Sequence, residues 1–183
     1  MKVAVFGKGH VGGGLADLWE KKGHKVSRLG RDGGDVSDVD VVLISVPGKA
    51  ISEAIGKLRG LKGKIVIDAT NRFGVDPPDG FNSNAEFIKS KTNGPTAKSF
   101  NINFAALYGE IAKARSKPSN IWCGDSEARA VVEQLTRDAG YDPVYAGPLT
   151  NAADQEHLIK IIFAINQNGM GQFFYRIAKP ENF

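Results

Sequence analysis

The first twelve residues constrain the fold more than any other stretch of the chain. An apolar run, Lys2–Phe6, leads directly into Gly7-Lys8-Gly9-His10-Val11-Gly12, and a helical pattern follows. A strand, a glycine turn and a helix in this order are typical of the first unit of a dinucleotide-binding fold. Gly7 permits the tight turn, Gly9 lets the backbone approach a diphosphate, and Gly12 lets the helix pack closely on the strand. The N–H groups and the dipole at the helix start favour the diphosphate.

The end of the second predicted strand, His24–Leu29, bears on the choice between NAD and NADP. A fold that prefers NAD places Asp or Glu about 20 residues past the glycine motif, where it binds the ribose hydroxyls. Gly30 stands at this place and leaves room for a 2′-phosphate, which the planar guanidinium of Arg31 can bind. Arg28 is a further candidate. These residues favour NADP; in the alternative interpretation Arg31 is a solvated loop residue and Asp32 binds the ribose.

Buried apolar runs alternate with helical patterns along the rest of the chain, which is typical of a parallel α/β sheet. The predicted strands are Val41–Pro47, Lys64–Asp68, Ala97–Asn101, Asn120–Gly124 and Asp142–Tyr145. The stretch from Asp32 to Asp40 is too short for a crossover helix and is predicted to cross as an extended loop. The sequence therefore predicts one Rossmann-like domain over residues 1–183, with a doubly wound, mostly parallel sheet.

Residues 150–178 are predicted to form a long C-terminal helix. Its main apolar face is formed by Leu158, Ile161, Ile162 and Ile165. At ~1.5 Å per residue the helix would span about 40 Å, which is more than this small core needs. We therefore expect its far end to contact a second subunit in a homodimer, the alternative being a plain packing helix. Gly169 and Gly171 predict that another backbone or a ligand comes close.

The candidate site follows from the rule that ligands bind beyond the carboxyl ends of the strands in open α/β sheets. The predicted cofactor-binding residues are Gly7, Lys8, Gly9, His10, Val11, Gly12, Gly30, Arg31, Ser45, Val46, Pro47 and Asn71. The pocket of the electron acceptor is predicted to contain Thr70, Asn101, Met170 and Gly171. Asp68, at the end of its strand, is interpreted as a loop anchor, and a general base is the alternative.

The composition argues against several classes of protein, namely those with disulfides, metal sites, nucleic-acid partners or membrane spans. The single cysteine, Cys123, excludes an internal disulfide and is interpreted as a buried, inert thiol, and His10, His24 and His157 show no metal-ligand spacing. The net charge of +4 is spread along the chain, which fits an anionic small ligand and does not demand nucleic acid. No apolar run reaches the ~18 residues of a membrane span, and Met1–Phe6 reaches glycine too early for a signal peptide. We therefore expect a cytoplasmic protein without metal, membrane or nucleic-acid partners.

Several stretches resemble one family. They are Ser45-Val46-Pro47, Cys123-Gly124-Asp125, Ala146-Gly147-Pro148-Leu149-Thr150-Asn151, Glu156 and Asn168-Gly169-Met170-Gly171. Together with the glycine turn they resemble the NADPH-dependent coenzyme F420 reductases (F420H2:NADP oxidoreductases), and the resemblance covers nearly the whole chain. It implies that Arg31 is the family's 2′-phosphate arginine, with Gly30 in place of a frequent serine. Asn101 stands where members carry a histidine near the acceptor.

The resemblance implies direct hydride exchange between NADP(H) and a planar small-molecule acceptor such as coenzyme F420 or a flavin. Such a step needs proximity more than acid–base chemistry. The sequence shows no Ser-His-Asp or paired-carboxylate pattern, and no catalytic residue is assigned. The main alternative is a non-catalytic NADP(H)-binding module that senses redox state through a partner. A dehydrogenase of a small metabolite is disfavoured, because no substrate domain with a Lys or His base is present.

Overall fold

Seven strands form one sheet in the computed structural model, which describes residues 1–182. The strands in chain order are β1 (Lys2–Phe6), β2 (Lys25–Leu29), β3 (Gly34–Asp35), β4 (Val41–Ile44), β5 (Leu58–Arg59), β6 (Ile65–Asp68), β7 (Thr96–Ser99), β8 (Ser119–Gly124) and β9 (Asp142–Tyr145). The order in the sheet is β2-β1-β4-β6-β7-β8-β9, while β3 and β5 form a separate pair. All neighbours are parallel except β7 and β8. The predicted mostly parallel, Rossmann-like sheet is confirmed.

Helices cover both faces of this sheet. They are α1 (His10–Lys21), α2 (Ile51–Gly56), α3 (Asn84–Thr92), α4 (Arg129–Asp138) and α5 (Ala152–Ile165). Side chains alternate across a strand, and in β1 Val3 and Val5 join the core under α1 and α4, whereas Ala4 and Phe6 join the core under α2 and α3. Burial on both sides explains why the central strands are continuous apolar runs. No helix within residues 1–182 is long and apolar enough to cross a membrane.

The crossover between β2 and β4 is fastened to the end of α2. Residues Gly34–Asp35 pair in parallel with Leu58–Arg59, and the Gly34 N–H donates to the Lys57 carbonyl at 3.2 Å. Gly33 has φ +71°, and a Cβ there would lie 2.2 Å from the same carbonyl oxygen. The predicted loop is therefore present, but it is pinned by a short strand pair that the sequence did not predict.

The C-terminal helix continues from α5 through a π-helical turn, Asn166–Met170, and ends there. Gly169 and Gly171 have φ of +103° and +69°, values that favour glycine, and a Cβ at either would have no neighbour within 4 Å in the described chain. These glycines end the helix, and within residues 1–182 no other backbone comes close to them, so the approach of another backbone or a ligand stays a prediction. The predicted helix beyond Met170 is wrong.

The residues after the helix fold back along the start of β8. The Ser119 N–H donates to the Tyr175 carbonyl at 2.8 Å, and the Ile177 N–H donates to Ser119 Oγ at 2.9 Å. The predicted apolar face of α5 is also only partly correct, because Ile161 is 58% exposed. The face that packs on the sheet instead contains Gln155 and Glu156.

Cys123 lies in β8 with its thiol fully buried. Burial raises the pKa of this thiol to about 12. The thiolate, which is the nucleophilic form, is therefore scarce at neutral pH. The prediction of a buried thiol is confirmed, and the raised pKa agrees with an inert one.

Candidate functional site

An open cavity of about 1220 Å³ lies at the carboxyl ends of β1, β4 and β6. Since β2 and β4 flank β1 on opposite sides, this is the switch point of the sheet, where open α/β folds bind ligands. The volume exceeds the ~300–1,000 Å³ of ordinary small-molecule pockets and suits a dinucleotide. The lining residues that bear on the chemistry are Gly7, Lys8, Gly9, His10, Val11, Gly30, Arg31, Ser45, Val46, Pro47, Gly48, Thr70, Asn71, Phe73 and Val75.

The three glycines of the turn differ in how closely other atoms surround them. Gly7 has φ +115°, and a Cβ there would lie 2.6 Å from the Ser45 carbonyl oxygen. A Cβ on Gly12 would lie 2.1 Å from the Gly7 carbonyl oxygen, so both positions need glycine for the turn itself. Gly9 has no atom within 4 Å of a built Cβ, and it lines the cavity. No side chain caps α1 at Gly9, so the first N–H groups of the helix are available to an anion.

Two basic side chains, those of Lys8 and Arg31, lie near the end of β2. A Cβ on Gly30 would be 3.7 Å from Lys8 Nζ, so the end of the Lys8 side chain lies beside this glycine, and Arg31 follows it in the chain. Neither Lys8 nor Arg31 forms an ion pair or side-chain hydrogen bond with any residue from 1 to 182. Arg28, in contrast, donates to Asp17 at 2.7 Å and to Glu20 at 2.6 Å. Arg28 is therefore paired with α1, whereas Lys8 and Arg31 are the cations at this end of the cavity that could meet a phosphate.

Side-chain amides and hydroxyls shape the other end of the cavity. The Ser45 hydroxyl donates to the Gly7 carbonyl at 3.1 Å and so holds the glycine turn. Asn71 Nδ2 donates to the Asn101 carbonyl at 2.6 Å, and Asn101 Nδ2 donates to Asn71 Oδ1 at 3.0 Å. This reciprocal pair fixes the orientation of the Asn71 amide, whose oxygen and one of whose two Nδ2 hydrogens are bound to Asn101. Thr70 lies between Asp68 and this pair and also lines the cavity.

The predicted site residues come together with few exceptions. Every predicted cofactor-binding residue lines the cavity except Gly12, which lies behind the turn. In the predicted acceptor group only Thr70 lines it. Asn101 is buried beneath the floor at 4% exposure, and Met170 is 64% exposed on the helix end with Gly171 beside it. The structure thus does not bring Asn101, Met170 and Gly171 to the cavity wall.

A buried cluster of four charges lies beneath the cavity floor, formed by Asp68, Arg72, Lys98 and Glu156. Lys98 Nζ lies 2.8 Å from Asp68 Oδ2 and 2.9 Å from Glu156 Oε1, and it also donates to the Thr70 carbonyl. Arg72 Nε donates to the other oxygen of Glu156. Two cations balance two carboxylates, as burial of charge requires. Burial raises the pKa of Asp68, and Lys98 opposes that rise.

This four-charge cluster joins α5 to the floor of the cavity. Asp68 Oδ1 accepts from the Thr70 N–H at 2.8 Å, which confirms Asp68 as a loop anchor. No role was predicted for Lys98, although a lysine inside a strand placed at the centre of the sheet was a usable signal, and all four residues of Thr96–Ser99 are buried. A charged residue in a buried strand needs a buried partner.

Residues 33–72 match a family model described as NADP oxidoreductase, coenzyme F420-dependent. This match supports the family resemblance inferred from the sequence over that stretch of the chain. A search among curated proteins gave no match.

The chain is also similar to solved structures of reductases and dehydrogenases. A putative F420-dependent NADP reductase from Arthrobacter sp. FB24 is 23% identical, with 98% of this chain and 100% of that chain covered and a TM-score of 0.77. A reductive aminase from Aspergillus terreus, in complex with NADPH and ethyl levulinate, is 15% identical over 91% of this chain and 62% of that chain, with a TM-score of 0.68. A 3-hydroxyisobutyrate dehydrogenase from Mycobacterium tuberculosis is 11% identical over 92% of this chain and 62% of that chain, with a TM-score of 0.64. At these identities the likeness establishes the fold.

Proposed function

We propose that this protein is an NADP-dependent oxidoreductase that transfers a hydride between NADP(H) and a planar acceptor such as coenzyme F420 or a flavin. The observation that carries the proposal is one continuous cavity whose wall changes character along its length. Lys8 and Arg31 supply positive charge at one end, the glycine turn follows, and the apolar side chains of Phe73 and Val75 belong to the other end. These three environments match, in this order, the 2′-phosphate, the diphosphate and the nicotinamide ring of NADP(H).

The proposed chemistry needs placement more than proton transfer. NADPH supplies the hydride, and the two reacting carbons must come to ~3–3.5 Å of each other in a site without water. Val46 and Pro47 at the end of β4 and Phe73 beyond β6 give the cavity an apolar wall at that end. Phe73 is 62% exposed, so a flat ring has an accessible apolar surface to pack on.

Turnover with a panel of acceptors tests this proposal. The protein is mixed with NADPH and, separately, with a deazaflavin, a flavin and an Fe(III) chelate, and the nicotinamide absorbance is followed. We expect oxidation of NADPH with at least one tricyclic acceptor. Tight binding of NADPH without turnover on any acceptor would instead favour the alternative function, a non-catalytic NADP(H)-sensing module.

Arg31→Ala is expected to weaken NADPH binding by ~1.5–3 kcal/mol, or about 10- to 150-fold, because a charge-assisted phosphate contact is lost. Binding of NADH should change little. Arg28→Ala is the matched control, since Arg28 is already paired with Asp17 and Glu20. Calorimetric titration of both nucleotides measures the effect. Equal affinity of the unmodified protein for NADH and NADPH would contradict the assignment to NADP.

The exposed face of α5 is proposed to contact a second copy of the chain. Ile161 and Ile165 lie four residues apart on this face and are 58% and 38% exposed. Two large apolar side chains left on the surface of one helix face are typical of a contact with another chain. Sedimentation should show a dimer at micromolar concentration, and Ile161→Glu should shift it toward the monomer. A monomeric unmodified protein would refute the proposal.

A further inference from the structure

Thr70 is held on three sides by buried groups. Its N–H donates to Asp68 Oδ1 at 2.8 Å, its carbonyl accepts from Lys98 Nζ, and its Oγ1 accepts from Asn84 Nδ2 at 2.9 Å. Only 2% of its surface is exposed, and it nevertheless belongs to the cavity wall. Because Thr70 is fixed in this way, any hydrogen-bonding group that it has left is held in one place.

The hydrogen-bonding group that is left on Thr70 is its hydroxyl hydrogen. A hydroxyl has one hydrogen and two lone pairs, and the Asn84 amide nitrogen offers only hydrogens, so Thr70 Oγ1 must accept there. The orientation of the Asn84 amide is set by the Gly48 carbonyl, which accepts from the same nitrogen at 3.2 Å and could not face an amide oxygen. The Asn84 N–H is itself held by Glu156 Oε1 at 3.3 Å. Within residues 1–182 the Thr70 hydroxyl hydrogen has no acceptor.

Two other neutral side chains at this end of the cavity are tied to the protein. The Ser45 hydroxyl is turned to the Gly7 carbonyl, and one hydrogen of the Asn71 amide is bound to the Asn101 carbonyl. The Thr70 hydroxyl hydrogen is a donor on this wall that no residue from 1 to 182 uses. Its low exposure makes such a hydrogen bond stronger than one in water.

We propose that the Thr70 hydroxyl donates a hydrogen bond to the carboxamide oxygen of the nicotinamide ring, with Asn84 as the positioning residue that aims it. This inference rests on the proposed function. Lys8 and Arg31 place the adenosine phosphate on the β2 side of β1, so the ring belongs on the side of β4 and β6, where Thr70 lies. The carboxamide is the polar substituent of that ring, and its oxygen can only accept. The bond fixes the rotation of the ring and so selects the face that it turns to the acceptor.

Calorimetry on a pair of variants tests this role without turnover. Thr70→Val keeps the branched shape and removes the hydroxyl, whereas Thr70→Ser keeps the hydroxyl. Each is titrated with NADPH and with 2′,5′-ADP, a fragment that carries the 2′-phosphate and lacks the nicotinamide. We expect Thr70→Val to weaken NADPH about 5- to 10-fold and to leave 2′,5′-ADP unchanged, and Thr70→Ser to remain within about 2-fold of the unmodified protein.

Each contrary outcome has a distinct meaning. Unchanged NADPH affinity in Thr70→Val overturns the proposal, and a parallel loss for NADPH and 2′,5′-ADP overturns it in favour of a structural role for Thr70. If the unmodified protein binds neither nucleotide, the proposed function fails and the role of Thr70 fails with it. If the expected pattern appears and no acceptor is reduced, the role of Thr70 stands while the hydride-transfer proposal fails.

Discussion

Lys98→Met is expected to lower the free energy of unfolding by about 3–5 kcal/mol at neutral pH. The substitution keeps a long unbranched side chain but removes the cation that lies 2.8 Å from Asp68 and 2.9 Å from Glu156. Both carboxylates are buried, so Asp68 loses its neutralising partner without gaining water, and Glu156 keeps only Arg72. Urea unfolding followed by circular dichroism measures the change.

The matched control is Lys113→Met. Lys113 pairs with Glu110 at 2.9 Å, but both side chains are largely exposed, and such pairs contribute ~0–1 kcal/mol. The pH dependence gives a second check. With Lys98 removed, the folded-state pKa of Asp68 stays above its unfolded value of ~3.9, so the stability loss should grow as the pH rises above ~4. A loss below ~1 kcal/mol at neutral pH would contradict the balanced four-charge cluster.

Gly9→Ala is expected to fold normally and to lose NADPH affinity by about 100-fold or more. A Cβ at Gly9 meets no protein atom within 4 Å, but it fills the place where the backbone would approach the diphosphate. Gly12→Ala is instead expected to lower the stability of the protein. Its Cβ would lie 2.1 Å from the Gly7 carbonyl, so we expect a stability loss of about 1–3 kcal/mol or more.

Thermal unfolding and NADPH titration on the same samples separate the two glycines. Gly13→Ala is the control within α1, because its Cβ comes no closer than 3.4 Å to the Lys8 carbonyl, and alanine favours helix. Normal NADPH affinity in Gly9→Ala would mean that the glycine turn only packs a helix on a strand and does not bind the diphosphate.

The fold and the cavity were predictable because their signals are local. Gly7 to Gly12 mark the turn, and Val41–Ile44 is apolar along its whole length, so strand, turn and switch point follow from neighbouring residues. The four-charge cluster has no such signal. Its members come from β6, the loop after it, β7 and α5, and only the folded chain shows that Lys98 and Glu156 meet.

The C-terminal helix shows a second limit of sequence reasoning. Gly169 and Gly171 are equally compatible with a close neighbour and with the left-handed end of a helix. The contact that decides between them is the return of Tyr175 and Ile177 to Ser119, more than fifty residues earlier in the chain. Met170 was consequently predicted at the acceptor pocket and lies at an exposed helix end.

The two rims of the cavity differ in how firmly they are built. On the β2 side, main-chain hydrogen bonds from Gly34 to Lys57 and from Val36 to Arg59 join segments that are distant in sequence. On the opposite rim, the loop after β6 is held largely by side chains: Arg72 reaches Glu156 and the Asn82 carbonyl, and Asn71 pairs with Asn101. A nucleotide bound as proposed should therefore leave past the rim held by side chains, and its dissociation rate should respond to Arg72.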